Sequence, residues 1–244
     1  SEQEGPLVLR NIVWLRPFAG GPIEIELSVR EGGAIGAVVR STDSEVAVAE
    51  TLVEPAGPAP EPVDLAALRA RCGRVVEVTE VYERFEAAGV RYGPSFRTLT
   101  ALYGGTGEAL GLLERRSGAS DWLFDPGLLD GALQAAAGLD AADVAGGLPF
   151  ALARAELLAG TTDRAWAWVR RASGNTIDID VLDEDGRLCV RMTGLAFRPA
   201  AGMAAEPTEA DSQPGISLVA PIWDQMPPVI EQARTAGVVA VCES

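Results

Sequence analysis

The chain has 244 residues, 48 % of them hydrophobic, and 20 Lys and Arg against 35 Asp and Glu give it a formal charge of −15. That composition supports a folded core and excludes a disordered chain, and an acidic excess spread along the sequence repels nucleic acid. The absence of histidine removes imidazole chemistry from these residues, whether a Ser-His pair, a His-ligated metal or a His general base.

Residues 7–15 read as a first strand, ended by Arg16-Pro17 and the turn Ala19-Gly20-Gly21-Pro22. Ile23, Ile25, Leu27 and Val29 alternate with polar residues and mark a half-buried strand. Gly32-Gly33 then turns the chain into 35–40, and Thr42-Asp43 turns it into 45–53, so an antiparallel meander is expected. Residues 55–62, Pro-Ala-Gly-Pro-Ala-Pro-Glu-Pro, cannot continue a sheet and read as an extended connector.

A second unit follows. Thr79 is expected to cap a short helix over 80–88, with Val81, Phe85 and Ala88 on one side and Gly89 as its stop. Strands are expected over 98–103 and 109–113, joined by Gly104-Gly105-Thr106-Gly107, a turn that opens no helix and therefore holds no phosphate. Asp125-Pro126 is a strong helix start, and Leu128, Leu129, Ala132, Leu133, Ala136 and Leu139 give that helix a broad apolar face.

Beyond Pro149, alternation resumes. Trp166 and Trp168 fit strand packing better than a substrate platform. Ile177, Ile179 and Val181 form an inward face, which leaves Asp178 and Asp180 on the solvated one. A turn at Asp183-Glu184-Asp185-Gly186 leads into Leu188, Val190 and Met192. Residues 199–215, rich in Ala, Pro and Gly, mark a boundary, beyond which 218–223 and 238–242 read as strands flanking a helical stretch over 229–236. Cys72, Cys189 and Cys242 share no CxxC spacing, so neither zinc nor a disulfide framework is indicated. No apolar run approaches the roughly 20 residues that cross a bilayer, and the first residues are unlike a signal peptide, so a cytoplasmic setting is expected.

The run Asp125-Pro126-Gly127-Leu128-Leu129-Asp130-Gly131-Ala132-Leu133-Gln134 resembles the dehydratase signature of bacterial modular polyketide synthases, a carboxylate in a core helix with Gln or His four residues later. Gly89-Val90-Arg91-Tyr92-Gly93-Pro94-Ser95-Phe96 resembles the Tyr-Gly-Pro-x-Phe motif of the same domains. The stretch from Leu9 to Phe18 looks like the corresponding strand of dehydratases from the trans-acyltransferase branch, and Val219-Ala220-Pro221-Ile222-Trp223 is similar to the opening of a ketoreductase structural subdomain. The resemblance covers roughly residues 7–200 and implies an α+β double hotdog, an antiparallel sheet wrapped around a central helix. It divides the chain into an incomplete first hotdog (1–54), a Pro-rich connector (55–77), a second hotdog (78–199), a linker (200–215) and the start of a following domain (216–244).

The resemblance also implies site residues: Asp130, Tyr92 and Gln134 for catalysis, and Gly93, Pro94, Phe96 and Leu133 for substrate contact. Independently of any family, burial of Asp130 among leucines would raise its pKa and make it an acid usable near neutrality, whereas on the solvent side it would be merely polar. Gln134, one turn further along, could orient Asp130 or a thioester carbonyl, or stand exposed. Tyr92 could bring a hydroxyl to a tunnel mouth or serve as a core tyrosine. No metal is implied and no cofactor within the domain itself; the substrate would ride on the phosphopantetheine of an acyl carrier protein. The implied partners are that carrier protein and neighbouring synthase domains, with no nucleic acid, no membrane, and homodimerisation left open.

The sequence departs from this family at the base. An active dehydratase of this type takes the α-proton with a His of the first hotdog, in a His-x-x-x-Gly-x-x-x-x-Pro motif ahead of the strand matched to Leu9–Phe18, and nothing before Leu9 holds that motif. Asp125 stands where the signature has a capping His. The reading is therefore a non-dehydrating activity on β-hydroxy or α,β-unsaturated acyl thioesters, such as conjugate addition, branching or isomerisation. Its alternatives are an inactive scaffold or carrier-docking module, and an ordinary dehydratase whose His-bearing segment lies outside this chain.

Overall fold

A computed structural model describes residues 7–15, 22–30, 33–41, 44–53, 60–116, 124–139, 147–199 and 237–242. The linker 200–215, the stretch 218–236 and most of the Pro-rich run over 55–62 lie outside the described residues. Strands β1 (Leu7–Trp14), β2 (Ile23–Val29), β3 (Ile35–Ser41) and β4 (Ser44–Val53) form the expected antiparallel meander. The register of β1 against β4 slips between Arg10 and Val13, where Asn11 takes a φ of 52°. Asparagine tolerates that left-handed backbone better than most residues, which suits it to a bulge.

The second unit holds the helices α1 (Leu65–Arg71), α2 (Val78–Ala87) and α3 (Pro126–Gln134), the last continuing as a 3-10 turn over Ala135–Gly138. Its strands are β5 (Arg74–Val76), β6 (Leu99–Gly104), β7 (Glu108–Glu114), β8 (Gly147–Leu157), β9 (Arg164–Arg171), β10 (Thr176–Leu182) and β11 (Leu188–Pro199). With β12 (Gly237–Cys242) added, the described strands make one sheet ordered β12-β2-β3-β4-β1-β8-β11-β10-β9-β7-β6-β5, antiparallel at every pairing. The two halves meet where β1 pairs with β8, Leu7 opposite Leu157 and Val13 opposite Ala151.

The start of α3 is fixed as the sequence requires: Asp125 has extended backbone and its Oδ1 accepts from the Leu128 N–H at 3.0 Å, with Pro126 in the first turn. The helix lies against the sheet, burying Leu128, Ala132, Ala135 and Ala136 against Ala167, Val169, Ile177, Ile179 and Val181. A helix enclosed by an antiparallel sheet is the hotdog arrangement. Small residues make the approach close: a Cβ on Gly111 would stand 2.8 Å from the Ala135 Cβ, and one on Gly138 2.8 Å from that of Ala109.

Three local expectations are corrected. The 55–77 connector contains α1 and β5, because Leu65, Leu68 and Cys72 recur at helical spacing and seal the outer face of the sheet against Leu110, Leu182 and Leu188. Thr79 does not cap α2; Glu77 holds the cap position without a side-chain bond, and the helix begins at Val78. Asp178 and Asp180 are not a solvated face. Asp180 is 2 % exposed and is held by Arg191 at 2.9 Å and Arg170 at 3.1 Å, while Asp178 accepts from the Gly194 N–H at 2.8 Å. Alternation identifies the outer face correctly, but α1 and neighbouring arginine side chains cover it. Trp168 packs there too, its Nε1–H donating to Glu108 at 2.9 Å under the Arg170 guanidinium.

Candidate active site

Two motifs far apart in sequence meet because glycine lets them. After Gly93, the backbone tightens into a 3-10 turn over Pro94–Phe96, and Arg97 Nε donates back to the Tyr92 carbonyl at 3.1 Å. This turn rests on α3 at two glycines one helical turn apart. A Cβ on Gly127 would stand 2.6 Å from the Ser95 carbonyl oxygen, and one on Gly131 2.1 Å from Thr98 Oγ1. Thr98, fully buried, uses that hydroxyl to donate to the Gly127 carbonyl at 2.8 Å. The glycines of the helix motif are thus a docking groove for the tyrosine motif.

The groove sets a hydrogen-bonded chain. Gln134, 2 % exposed, donates from Nε2 to the Phe96 carbonyl at 2.9 Å and to Asp130 Oδ2 at 2.7 Å. Its Oε1 accepts from the Tyr82 hydroxyl at 2.8 Å. Both protons of the amide nitrogen and its oxygen are engaged, so Gln134 is held rigidly beside Asp130.

Burial pushes the Asp130 carboxyl up from 3.8 to about 6, against the opposing effect of the Gln134 hydrogen bond, which favours the carboxylate. Burial also raises Tyr92 above the ordinary phenol range, with the Asp130 and Tyr82 charges adding to it, so its hydroxyl is neutral at any working pH. Tyr82 is pushed up to about 12 by burial, partly offset by a backbone hydrogen bond from Leu99 and by Arg97 and Arg116. The Tyr92 ring packs edge-on against Tyr82 at 6.0 Å and Phe85 at 5.2 Å.

Asp130, Tyr92, Leu133 and Gln134 line one pocket of about 60 Å³, closed otherwise mainly by apolar side chains such as Leu148, Pro149 and Phe197 from β8 and β11. Of the residues expected at the site, Phe96 enters through its backbone carbonyl only, and Gly93 and Pro94 shape the turn without lining the pocket. Tyr82 and Phe85 of α2 and Phe197 of β11 belong to the site; sequence reasoning places Phe85 only on the apolar side of its helix and names neither of the others. For α2 the signal was available in part, since Tyr82 and Phe85 are aromatics three residues apart on one helix side. Among the described residues no cluster of three His, Cys, Asp or Glu could hold a metal, and no helix is long and apolar enough to cross a membrane.

Chemically, the site pairs a desolvated carboxyl with a neutral phenol beside an apolar wall. Such a pair can donate protons or hydrogen bonds to an oxygen that gains negative charge.

Known proteins resemble this chain in sequence and in fold. Residues 60–207 match the model of the polyketide synthase dehydratase N-terminal domain. The chain is 34 % identical to polyketide synthase ThaG of Burkholderia thailandensis over 81 % of its length, and 29 % identical to polyketide synthase PksN of Bacillus subtilis over 93 %. It spans only 4 % and 5 % of those proteins, respectively. The crystal structure of a trans-AT PKS dehydratase domain from Brevibacillus brevis superposes with a TM-score of 0.71 at 29 % identity, covering 82 % of this chain and 78 % of that one. The family match spans more than half of the chain and includes both motifs of the pocket, and so the chain belongs to the dehydratase domain family of polyketide synthases.

Proposed function

We infer that Asp130 is the acid of an acyl-processing site, delivering a proton or hydrogen bond to an oxygen of a β-hydroxy or α,β-unsaturated thioester carried on the phosphopantetheine of an acyl carrier protein. The observation that carries this reading is a carboxyl held up to about 6 by burial, in one pocket with a neutral phenol, in a chain without histidine. At pH 7 roughly a tenth of such a carboxyl is protonated, enough for a general acid. Tyr92, which donates to no other described residue, is the second donor.

Dehydration needs a base for the α-proton as well as an acid for the departing hydroxyl. Asp130 cannot take one proton and deliver another in a single pass, and a phenol raised above its ordinary range is already protonated. Residues 1–244 by themselves therefore fit conjugate addition, branching or double-bond migration better than elimination. In the addition, a protic nucleophile bonds to the β-carbon as the α,β π bond breaks, and the electron pair moves through to the thioester oxygen, which takes the Asp130 proton; the nucleophile's own proton restores the carboxyl, and the enol takes a proton from water at its α-carbon as its oxygen gives one back.

The small volume of the pocket, about 60 Å³, supports a second reading: a scaffold that docks carriers or neighbouring synthase domains and turns nothing over. Mass spectrometry of carrier-bound acyl chains separates the readings. With the wild-type chain we expect no loss of water from a β-hydroxyacyl carrier protein, and an addition or α-hydrogen exchange on the unsaturated one that Asp130→Asn abolishes. Loss of water would overturn the missing-base argument, and identical profiles for wild type and variant would overturn the acid in favour of the scaffold.

A further inference from the structure

We propose that Tyr82 is a positioning residue for Asp130: by donating to Gln134 Oε1 it fixes which end of the Gln134 amide faces the carboxyl, and with it the protonation state that the site favours. The proposal deepens the reading of Asp130 as an acid and rests on it.

The two orientations of the amide act oppositely on Asp130. With Nε2 toward it, as observed at 2.7 Å, the amide donates and stabilises the carboxylate. With Oε1 toward it, the amide could only accept, and would stabilise the protonated acid. Two groups select the first orientation. The Phe96 carbonyl, which only accepts, takes one proton of Nε2 at 2.9 Å. The Tyr82 hydroxyl donates to Oε1 at 2.8 Å, and a hydroxyl has a single proton to give.

Removing that hydroxyl leaves Oε1 without a donor inside a residue that is 2 % exposed. An unsatisfied buried carbonyl is costly, and without that donor the amide is polarised less, donates more weakly to Asp130 and is held in its orientation by the Phe96 carbonyl alone. The other titratable or charged groups around Asp130 are few. Tyr92 follows α2, Arg97 and Arg116 stand behind Tyr82, and β8 and β11 contribute Gly147, Leu148, Pro149 and Phe197 to the pocket, none of them titratable. The phenol is itself held neutral, so it remains a donor across the working range.

The test is a titration of Asp130 in the intact chain, followed by carbon-13 NMR of its carboxyl and assigned with Asp130→Asn. Because the chain has no histidine, no imidazole titrates in the same window. Tyr82→Phe is expected to raise the midpoint by roughly one unit, and Gln134→Leu by at least as much. A difluorotyrosine at position 82 keeps the shape, donates more strongly and should lower the midpoint, which keeps the proposal testable if Tyr82→Phe unfolds. A midpoint unmoved by the Tyr82 changes, while Gln134→Leu shifts it, would make Tyr82 merely structural and overturn the proposal. The readout needs no turnover, so an inactive chain with the expected shifts would count against the acid reading and leave the role of Tyr82 standing.

Discussion

Asp130 and Gln134 stand one helical turn apart and are tied by a 2.7 Å hydrogen bond, yet the carboxyl still sits at about 6, so burial outweighs the one donor it receives. The consequence for stability has a definite sign. Between about 4 and 6 the folded chain holds a proton that the unfolded chain has released, so stability falls as pH rises through that window and stays reduced above it, by roughly 3 kcal/mol. Asp130→Asn removes the buried charge and keeps an oxygen for Gln134. The variant should be more stable than the parent in urea at about pH 7.5, with the gap closing below about pH 4; equal pH profiles would contradict the buried, raised carboxyl.

Gly131→Ala tests the contact that brings the motifs together. Helix propensity alone favours alanine by about 1 kcal/mol, but its Cβ would stand 2.1 Å from Thr98 Oγ1 and 3.1 Å from Leu113 Cδ2. A loss of about 2 kcal/mol or more is expected, partly recovered by pairing it with Thr98→Ala. Denaturation of the single and double variants measures it.

Asp125 both caps α3 and pairs with the largely buried Arg115 at 3.1 Å. Asp125→Ala should cost about 2–4 kcal/mol, because the cap and a charge partner go together. Asp125→Asn keeps the cap and should lose clearly less. If the two lose equally, the cap contributes little.

Asp180 bridges Arg170 and Arg191 on the face of the sheet away from α3. With both arginines part-exposed, Asp180→Asn should cost about 2 kcal/mol in a denaturant melt. The Asp130 titration midpoint should not move, which NMR of the same sample checks.

The residues that carried the fold in the sequence are those whose pattern is local. Ile177, Ile179 and Val181 give the inward face by alternation, and Asp125-Pro126 gives the start of α3 by cap chemistry. Asp180 is not legible in this way, because alternation reports which side a residue faces and says nothing of what folds over that side. The stripe of α1 was hidden by the prolines just before it, although Leu65, Leu68 and Cys72 keep helical spacing. Asp130 and Gln134 were legible together because a helix fixes their separation; Tyr82 was not, since its partner lies 52 residues away. Gly127 and Gly131 carry no periodic signal, and only the packing of Ser95 and Thr98 against them gives their purpose.

The seam between β1 and β8 changes what a cut in the chain would do. Backbone pairing continues across it from Leu7–Leu157 to Val13–Ala151, while along the sequence the halves are joined through the Pro-rich segment. A protease nicking that segment would leave two fragments still held by a ladder of hydrogen bonds, migrating as one particle until denatured. For anyone exchanging such domains between synthases, the connector is a poor splice point: a half moved alone would carry an unpaired strand edge, an invitation to aggregate.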